Sequence, residues 1–264
     1  MGTLAGEVAI VTGAAQGIGK GIAKAMAAQD AAVMLLDIAD AVQTAAEEIG
    51  RDLGKSDQEV RAFRVDITDT GQISQALETV LKDFGKVDIL VNNVAVLYFA
   101  PFVEMSDEIR DRTFDVNFKG MWNCTKAVVP TMMKQKHGHI INISSAAAIT
   151  SSKGLTAYSA SKGAVSAFSR ALALDLAEFG INVNTIIPCY VDTPGLRDAA
   201  TNMGVSPDLF LEKIGESVPL GRVASTEEIG DLAVFLASRE SKYITGQEIV
   251  IDGGNLIQTK KGDF

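Results

Sequence analysis

The chain has 264 residues, 47% of them hydrophobic and 22% charged, which is the composition of an ordinary soluble globular protein. With 24 Lys and Arg against 33 Asp and Glu, the formal charge is −9, and this disfavours nucleic acid and anionic lipid as partners. The two cysteines lack the spacing of a disulfide framework or a zinc site. Because no apolar run is long enough to cross a bilayer and residues 1–12 lack a secretory pattern, we expect a cytoplasmic protein without a metal or a membrane contact.

Short apolar runs alternate with longer stretches of helical periodicity along the chain. The predicted strands are 7–12, 32–37, 60–66, 88–92, 139–144, 181–187 and 247–251. The predicted helices are 17–29, 40–53, 70–84, 107–135, 155–179 and 226–238. Continuous apolar strands that alternate with helices are typical of a parallel sheet covered on both faces. We therefore predict an α/β fold, a single doubly wound Rossmann domain over 1–264 with a seven-stranded parallel sheet in the order 3-2-1-4-5-6-7.

The stretch at about 190–218 breaks this alternation. Prolines and glycines interrupt its weak helical patterns just after the sixth predicted strand. Ligand crevices of doubly wound folds open at the carboxyl ends of the strands. We therefore predict that this stretch is a mobile lid over a substrate.

A glycine-rich turn follows the first predicted strand and opens a helix, in the order Thr12-Gly13-Ala14-Ala15-Gln16-Gly17-Ile18-Gly19. The glycines allow a tight turn, and the helix start offers unpaired N–H groups and a positive dipole end to a pyrophosphate. The turn therefore predicts a dinucleotide site that includes Gly13, Gln16, Gly17, Ile18 and Gly19.

Asp37 ends the second predicted strand, where a carboxylate can accept hydrogen bonds from both ribose hydroxyls of a dinucleotide. A 2′-phosphate about 4 Å from Asp37 would be repelled by about 4 kcal/mol at an effective dielectric near 20, or about a thousandfold in affinity. This favours NAD over NADP. Asp66-Ile67 and Asn92-Asn93 end the next two strands and are further candidate cofactor contacts, although each is equally explained as a turn former.

Tyr158 and Lys162 follow the fifth predicted strand and lie on one face of a helix, four residues apart. Reduction of a ketone needs a proton donor for the nascent alkoxide, and oxidation of an alcohol needs the reverse. A free tyrosine, with a pKa of about 10, is too weak a base at neutral pH, but an ammonium about 4 Å away lowers that pKa by about three at an effective dielectric of 20. On its own this pair is a frequent accident on helices.

Taken together, these residues resemble the short-chain dehydrogenase/reductase family over nearly the whole chain. The residues that carry the resemblance are the glycine turn, Asp37, Asp66, Asn92-Asn93, Ser145, Tyr158 and Lys162. The resemblance implies that Tyr158 is the general acid/base, that Lys162 lowers its pKa and holds the nicotinamide ribose, and that Ser145 bonds the substrate oxygen. It implies that Asn93 is a cofactor contact.

The resemblance extends to four further positions and to the assembly. It implies that Asn117 holds a water that links the lysine to solvent, and the alternative is that Asn117 is an ordinary polar residue in the middle of a helix. Val191 and Thr193 match the family segment that wraps the nicotinamide carboxamide. Ala147 and Tyr190 are expected beside the substrate, and family members usually form homotetramers.

Two departures from the family put the shape of the pocket in doubt. The family's Asn-Asn-Ala-Gly is Asn92-Asn93-Val94-Ala95 here, and its Pro-Gly is Pro188-Cys189. Both replace a glycine where backbone passes close to a ligand. We further expect Lys153 and Arg197 as anion contacts.

We therefore expect an NAD-dependent oxidoreductase that moves a hydride between its cofactor and a small secondary alcohol or ketone, which is a polyol, a sugar-derived compound or another hydroxy compound. One alternative is a 3-ketoacyl-type reductase, which Asp37 disfavours because such enzymes commonly use NADPH. The other is a catalytically silent nucleotide-binding scaffold on the same fold. His137 and His139 are expected to be surface turn residues.

Overall fold

The computed structural model describes residues 2–258, and in it seven strands form one parallel sheet. The strand order is β3-β2-β1-β4-β5-β6-β7, as predicted. Every neighbouring pair in this sheet is parallel. The strands are β1 (Val8–Thr12), β2 (Ala32–Asp37), β3 (Val60–Arg64), β4 (Ile89–Asn92), β5 (Gly138–Ile143), β6 (Ile181–Pro188) and β7 (Glu248–Ile251). The order reverses between β1 and β4, which is where doubly wound folds open a ligand crevice.

Helices cover both faces of the sheet. They are α1 (Gly17–Ala28), α2 (Ala41–Leu53), α3 (Thr70–Phe84), α4 (Asp107–Phe114), α5 (Met121–Gln135), α6 (Thr156–Leu176), α7 (Pro194–Asn202), α8 (Pro207–Ser217) and α9 (Thr226–Ala237). On one face α1, α2 and α9 bury side chains such as Ile22, Ile49 and Ile229 against the strands. On the other, α3, α5 and α6 bury Val80 and Val128 among others. The strands are buried on both sides, which is why their sequences are continuous apolar runs rather than alternating ones.

Three predicted boundaries differ from the structure. The predicted helix 107–135 is divided by a π-helical turn at Asp115–Gly120 into α4 and α5. β3 ends at Arg64 rather than at residue 66, because the Asp66 carboxylate accepts the backbone N–H and hydroxyl of Thr68 and so closes a turn. The stretch 190–218 contains two helices, α7 and α8, each of which begins at a proline.

None of the helices within residues 2–258 combines the length and the apolar character that a bilayer crossing requires.

The expectation that His139 is a surface turn residue is wrong. Its side chain is buried in β5 with its Nδ1 atom unpaired, and its ring lies edge-on to that of His137, with ring centroids 5.4 Å apart. Burial, reinforced by the neighbouring His137, lowers the pKa of His139 to about 4. His137 is more exposed, and the Glu7 carboxylate 3.4 Å from its Nε2 atom raises its pKa instead.

The buried histidine predicts a loss of stability in acid. Because the folded-state pKa of His139 is about 4 and its unfolded value 6.5, only the unfolded chain takes up this proton as the pH falls between the two values. The free energy of unfolding is thereby lowered by about 3 kcal/mol when the pH is near the folded-state pKa. His139→Gln is expected to remove most of this loss, as measured by urea unfolding at neutral pH and close to the folded-state pKa. His137→Gln is the control, and it is expected to lower the free energy of unfolding at low pH, since the raised pKa of His137 stabilises the fold there. An equal change of unfolding free energy with pH in the two variants would contradict the argument.

Candidate active site

A cleft of ≈ 380 Å³ opens at the carboxyl ends of the strands, where the sheet order reverses. Nine predicted cofactor residues line it: Gly13, Gln16, Gly17, Ile18, Asp37, Asp66, Ile67, Asn93 and Thr193. Four others do not line it: Gly19, Tyr158, Lys162 and Val191. The glycine turn and the ends of β2 and β3 thus lie around one crevice, as parallel strands require.

The glycine turn leaves the start of α1 open toward this cleft. Gly13 and Gly17 adopt the left-handed conformation, with φ of 66° and 57°, which side-chain-bearing residues rarely adopt. Gln16, the residue before α1, makes no side-chain cap, so the first N–H groups of the helix have no side-chain acceptor at this position. Unpaired N–H groups at a helix start are a ready site for phosphate oxygens. The turn therefore fits the pyrophosphate of a dinucleotide.

Asn93 holds the turn from the neighbouring strand. Its Nδ2 atom donates to the carbonyl oxygens of Thr12 and Gly13, at 3.1 and 3.0 Å, and its own N–H donates to the Thr12 hydroxyl at 3.0 Å. The first asparagine of the pair differs, because Asn92 is buried and donates to Thr125 of α5 and to Asn142 of β5. Asn93 therefore shapes the cleft, while Asn92 ties β4 to its neighbours.

Gly19 predicts a sharp effect on dinucleotide binding. A Cβ atom at this position would lie 2.1 Å from the Gly13 carbonyl oxygen, so Gly19→Ala must displace the turn. We expect it to weaken dinucleotide affinity by at least about tenfold, as measured by fluorescence titration of the reduced cofactor. Gly163→Ala is the matched control, because nothing lies within 4 Å of its Cβ position in α6. The control is expected to bind normally and to gain up to about 1 kcal/mol of stability; weakening in both variants would refute the prediction.

The Asp37 carboxylate is held at the end of β2 by two backbone N–H groups. Ala15 of the glycine turn donates to one oxygen at 3.1 Å, and Ala39 donates to the other at 3.0 Å. The carboxylate therefore lies between the glycine turn and the start of α2. Ile38, beside it, is 52% exposed and lines the same cleft. An apolar residue kept exposed next to a polar strand end is suited to contact a flat ring.

Sequence reasoning missed several residues of this site, among them Ile38, Thr12 and Arg112. Ile38 lines the cleft, and its exposed position directly after Asp37 is a signal that could have identified it. Thr12 positions Asn93 with its hydroxyl. Arg112 of α4 brings the only cation among the lining residues, and no spacing in the sequence signals it, since it reaches the cleft from a helix between β4 and β5.

The predicted chemical residues meet at the carboxyl end of β5. Ser145 starts a short 3-10 turn, Ala146–Ala148, and its hydroxyl accepts the Ala147 N–H at 3.2 Å. Tyr158 and Lys162 lie one turn apart near the start of α6, with the lysine Nζ atom 5.9 Å from the centre of the tyrosine ring. Ser145 is close enough to Tyr158 for hydrogen bonding to lower the pKa of the phenol. Three groups that can exchange protons are thus gathered in one place.

Burial governs the charges of this cluster. It raises the pKa of Tyr158, and the hydrogen bond from Ser145 opposes it only in part. It lowers the pKa of Lys162 to about 8. The lysine Nζ donates to the Ile143 carbonyl oxygen at 2.8 Å, which fixes the ammonium at the end of β5. The sequence predicts that Lys162 lowers the pKa of Tyr158, but in the structure burial has the larger effect and raises that pKa.

Ser144 is built into the scaffold rather than presented to the cleft. Its buried hydroxyl donates to the Lys162 carbonyl oxygen at 3.0 Å and accepts from the Ser166 hydroxyl at 3.3 Å. These bonds fasten α6 to the end of β5. They leave Ser145 as the serine beside Tyr158.

Asn117 lies in the π-helical turn that divides α4 from α5, a distortion that is frequent at functional sites. Its buried side chain donates to the Val96 carbonyl oxygen at 3.0 Å and to the Ser161 hydroxyl at 3.1 Å, and it accepts the Val96 N–H at 2.8 Å. Asn117 thus ties the segment after β4 to the turn of α6 that carries Tyr158 and Lys162. Its side chain makes no bond to Lys162.

The segment after β6 reaches the glycine turn. Thr193 caps α7 through the Leu196 N–H at 3.2 Å, and its side chain lies 3.6 Å from the Cβ position of Gly17. Val191 is buried and pairs with Ala224, so its side chain is held away from the cleft. Tyr190 is 38% exposed, and its carbonyl oxygen accepts the Ala224 N–H at 2.9 Å.

Arg197 does not present a free cation, contrary to the expectation that it contacts anions. Its guanidinium bonds both oxygens of Asp192, at 2.6 and 2.7 Å, and Asp208 at 2.8 Å. These carboxylates raise its pKa further. The pairs join the start of α7 to α8. Lys153 is exposed and lines none of the described cavities around the site.

A family model described as Enoyl-(Acyl carrier protein) reductase matches residues 13–255. The chain is also 41% identical over 259 residues to the oxidoreductase UcpA of Salmonella typhimurium, which covers 97% of each chain. It belongs to the short-chain dehydrogenase/reductase family. Members of this family are oxidoreductases that use a nicotinamide cofactor, NAD or NADP.

Relatives within the short-chain dehydrogenase/reductase family differ in the activity for which they are named. The 3-oxoacyl-[acyl-carrier-protein] reductase FabG of Thermotoga maritima is 38% identical, over 96% of this chain and 99% of its own. Among solved structures, an NAD+-bound xylitol dehydrogenase superposes with a TM-score of 0.87 at 31% identity, over 95% of this chain and 99% of the other. Membership of the family therefore leaves the substrate class open, and the residues of the site must distinguish an acyl thioester from a polyol.

Proposed function

We propose that this protein is an NAD-dependent dehydrogenase of small secondary alcohols, with polyols and sugar-derived hydroxy compounds as the substrate group. The observation that carries the proposal is the gathering of Ser145, Tyr158 and Lys162 at the end of β5, on the same sheet edge as the cleft that contains Asp37. A proton-exchanging phenol beside a dinucleotide crevice is what hydride transfer to or from a carbon–oxygen bond requires.

Each of the three residues has a proposed part in moving the proton. The Ser145 hydroxyl bonds the substrate oxygen and orients it toward Tyr158. Tyr158, as the phenolate, takes the alcohol proton during oxidation and, as the phenol, returns it during reduction. Lys162, fixed by the Ile143 carbonyl oxygen, stabilises the phenolate and reaches the nicotinamide ribose. When bound, the nicotinamide accepts or releases the hydride, and its oxidised ring adds positive potential near the phenol.

Asn117 is proposed as a positioning residue for this cluster. Its hydrogen bonds to Val96 and to Ser161 fix the position of α6 relative to the segment after β4. The Ser161 hydroxyl in turn donates to the Tyr158 carbonyl oxygen at 2.7 Å. A water held near the backbone of Asn117 would then link Lys162 to solvent.

The preference for NAD is proposed from Asp37. Its carboxylate lies where the adenosine ribose of a dinucleotide on the glycine turn would reach, and it repels a 2′-phosphate. Gly13, Gln16, Gly17, Ile18 and Gly19 would hold the pyrophosphate, while Asp66 and Ile67 border the adenine and Thr193 the nicotinamide. The NAD+ in the similar xylitol dehydrogenase supports the choice.

We further propose that α7 and α8 form the predicted lid over the substrate, with Ala147 and Tyr190 beside the reacting carbon. The segment before α7 packs on the glycine turn through Thr193, so movement of α7 is coupled to occupancy of the cleft. Both cysteines are free thiols, which agrees with a reducing cytoplasm. Burial raises the pKa of Cys189, so its thiol is not activated for redox chemistry.

A homotetramer is proposed from two separate apolar surfaces. One lies on α5 and α6, where Trp122, 46% exposed, packs against Phe118 and Phe168. The other includes Leu174 and Tyr243, 81% and 100% exposed. Two self-complementary surfaces on one chain generate a tetramer of two-fold symmetry. Elution as a stable monomer in size-exclusion chromatography would refute this.

A 3-ketoacyl-type reductase is the second candidate, because FabG of Thermotoga maritima is 38% identical over nearly the whole chain. The two functions differ in cofactor and in substrate, so one set of assays separates them. We expect NADH formation with secondary alcohols or polyols at alkaline pH, and little oxidation of NADPH with an acetoacetyl thioester. The reverse result would establish the reductase, and binding of NAD without turnover of any compound would favour a silent scaffold.

A further inference from the structure

A second cavity, of ≈ 980 Å³, lies between the loop after β5 and the end of α8. Its polar walls are Thr150 and Ser151 of the loop, Glu216 at the end of α8, and Asn255 and Gln258 after β7. We call it the polar chamber. It is open to solvent, since most of its lining residues are exposed, and its volume is large enough to receive a small-molecule ligand.

The polar chamber borders the chemical residues on two sides. The Ser151 hydroxyl lies 2.6 Å from that of Ser159, the residue directly after Tyr158. The Asn255 amide donates to the Cys189 Sγ atom at 3.3 Å, and Cys189 begins the segment that leads to α7. The chamber therefore adjoins both the loop that carries Ser145 and the proposed lid. A substrate whose reacting carbon is at Tyr158 can extend its remaining atoms into it.

The chemistry of the walls selects among such substrates. Hydroxyl, amide and carboxylate groups pair with the hydroxyls of a ligand, since each hydroxyl both donates and accepts. No lysine or arginine is among the described residues that line the chamber, whereas Glu216 brings a carboxylate. Within residues 2–258, the lining therefore has no cation to offset Glu216, and a carboxylate or phosphate on the substrate would be repelled by it.

We propose that the polar chamber binds the uncharged, polyhydroxylated part of the substrate, and that Glu216 excludes anionic compounds from it. This inference rests on the proposed dehydrogenase function and narrows its substrate class to neutral polyols and sugars. Glu216 is then a specificity-determining residue. Hydroxy acids and phosphopantetheine-linked acyl groups, both of which carry negative charge, are disfavoured.

The opposite rim of the site is apolar. Leu97 and Phe99 of the segment after β4 and Ile149 of the loop after β5 are each about half exposed. The two segments are joined by the Ala100 N–H, which donates to the Gly154 carbonyl oxygen at 3.1 Å. This rim contacts the carbon–hydrogen face of a polyol or sugar while the chamber takes its hydroxyls. An apolar alcohol would contact this rim alone. A comparison of apolar alcohols with polyols as substrates therefore tests whether the chamber contributes to binding.

The first experiment measures kcat/KM with NAD for substrates matched in carbon number: polyols such as xylitol and galactitol, the corresponding aldonates, and 2-pentanol with 2-hexanol. In the wild type we expect at least one polyol to exceed its aldonate and the apolar alcohol by about tenfold or more. Glu216→Lys is expected to raise the aldonate-to-polyol ratio of kcat/KM about tenfold. Glu212→Lys is the matched control, because it makes the same charge change on an exposed position of α8 that does not line the chamber. A preference for the apolar alcohols, or an equal change in the two variants, overturns the inference.

The second experiment measures binding without turnover, by saturation-transfer NMR of the same compounds on the protein with NADH. We expect polyol signals in the wild type, and aldonate signals only in Glu216→Lys. If no compound is oxidised but polyols bind to the wild type and aldonates bind only to Glu216→Lys, the chamber stands and the dehydrogenase function fails. If the apolar alcohols are oxidised and no polyol binds, the function stands and the chamber inference fails.

Discussion

Tyr158→Phe is expected to reduce kcat by about 10³-fold on any substrate that the wild type oxidises, with little change in KM. The substitution removes only the hydroxyl from a ring that remains packed near the start of α6. The alcohol proton then has no acceptor beside the Ser145 hydroxyl, whereas the cofactor cleft, which Tyr158 does not line, is unchanged. Steady-state NADH formation measures kcat, and fluorescence titration measures cofactor affinity.

Tyr243→Phe is the matched control for this experiment, since Tyr243 lies far along the chain from α6 and the substitution keeps the ring that the proposed tetramer surface uses. It is expected to keep wild-type turnover. Retention of full turnover by Tyr158→Phe would remove the basis of the proposed function. A loss of cofactor affinity of the same size as the loss in kcat would instead assign Tyr158 to binding.

Elements with one continuous local pattern were predictable from the sequence. The parallel sheet followed from the alternation of apolar runs and helices, because a strand buried on both faces is a continuous apolar run. The strand order followed from the arrangement common to dinucleotide-binding Rossmann folds rather than from the alternation. The glycine turn and Asp37 were also predictable as neighbours. Both end parallel strands, β1 and β2, and such ends meet at one edge of the sheet.

Features that depend on distant pairings were not predictable. The predicted helix 107–135 is apolar at helical spacing throughout, and that pattern does not distinguish an α-helix from one with a π-helical turn. Arg197 was predicted to be a free cation because one of its partners, Asp208, lies on a different helix. His139 was predicted to be a surface turn residue because a sequence does not show which strand ends are buried by other parts of the chain. The polar chamber likewise combines the loop after β5, the end of α8 and the segment after β7.

Asp37→Ser is expected to change the ratio of kcat/KM for NADP to that for NAD by about a thousandfold. The reason is the loss of about 4 kcal/mol of repulsion between the carboxylate and a 2′-phosphate about 4 Å away. A cation is already nearby, because Arg64 of β3 is the register partner of Asp37. Its Nε atom donates to the Ile38 carbonyl oxygen at 3.1 Å and lies 3.2 Å from the Asp40 carboxylate, on an exposed side chain. A 2′-phosphate can therefore recruit Arg64 once Asp37 is gone.

The contribution of Arg64 to NADP binding can be tested with a double variant. The double variant Asp37→Ser/Arg64→Ala is expected to lose NAD preference as the single variant does but to recover about tenfold less activity with NADP. Asp57→Ser, in the exposed loop before β3, controls for the loss of one negative charge and should leave the ratio unchanged. Because the carboxylate also accepts the N–H groups of Ala15 and Ala39, thermal unfolding of each variant shows whether the turn itself has been disturbed. An unchanged cofactor ratio in a normally folded Asp37→Ser would place the adenosine ribose elsewhere in the cleft and remove the physical basis for NAD preference.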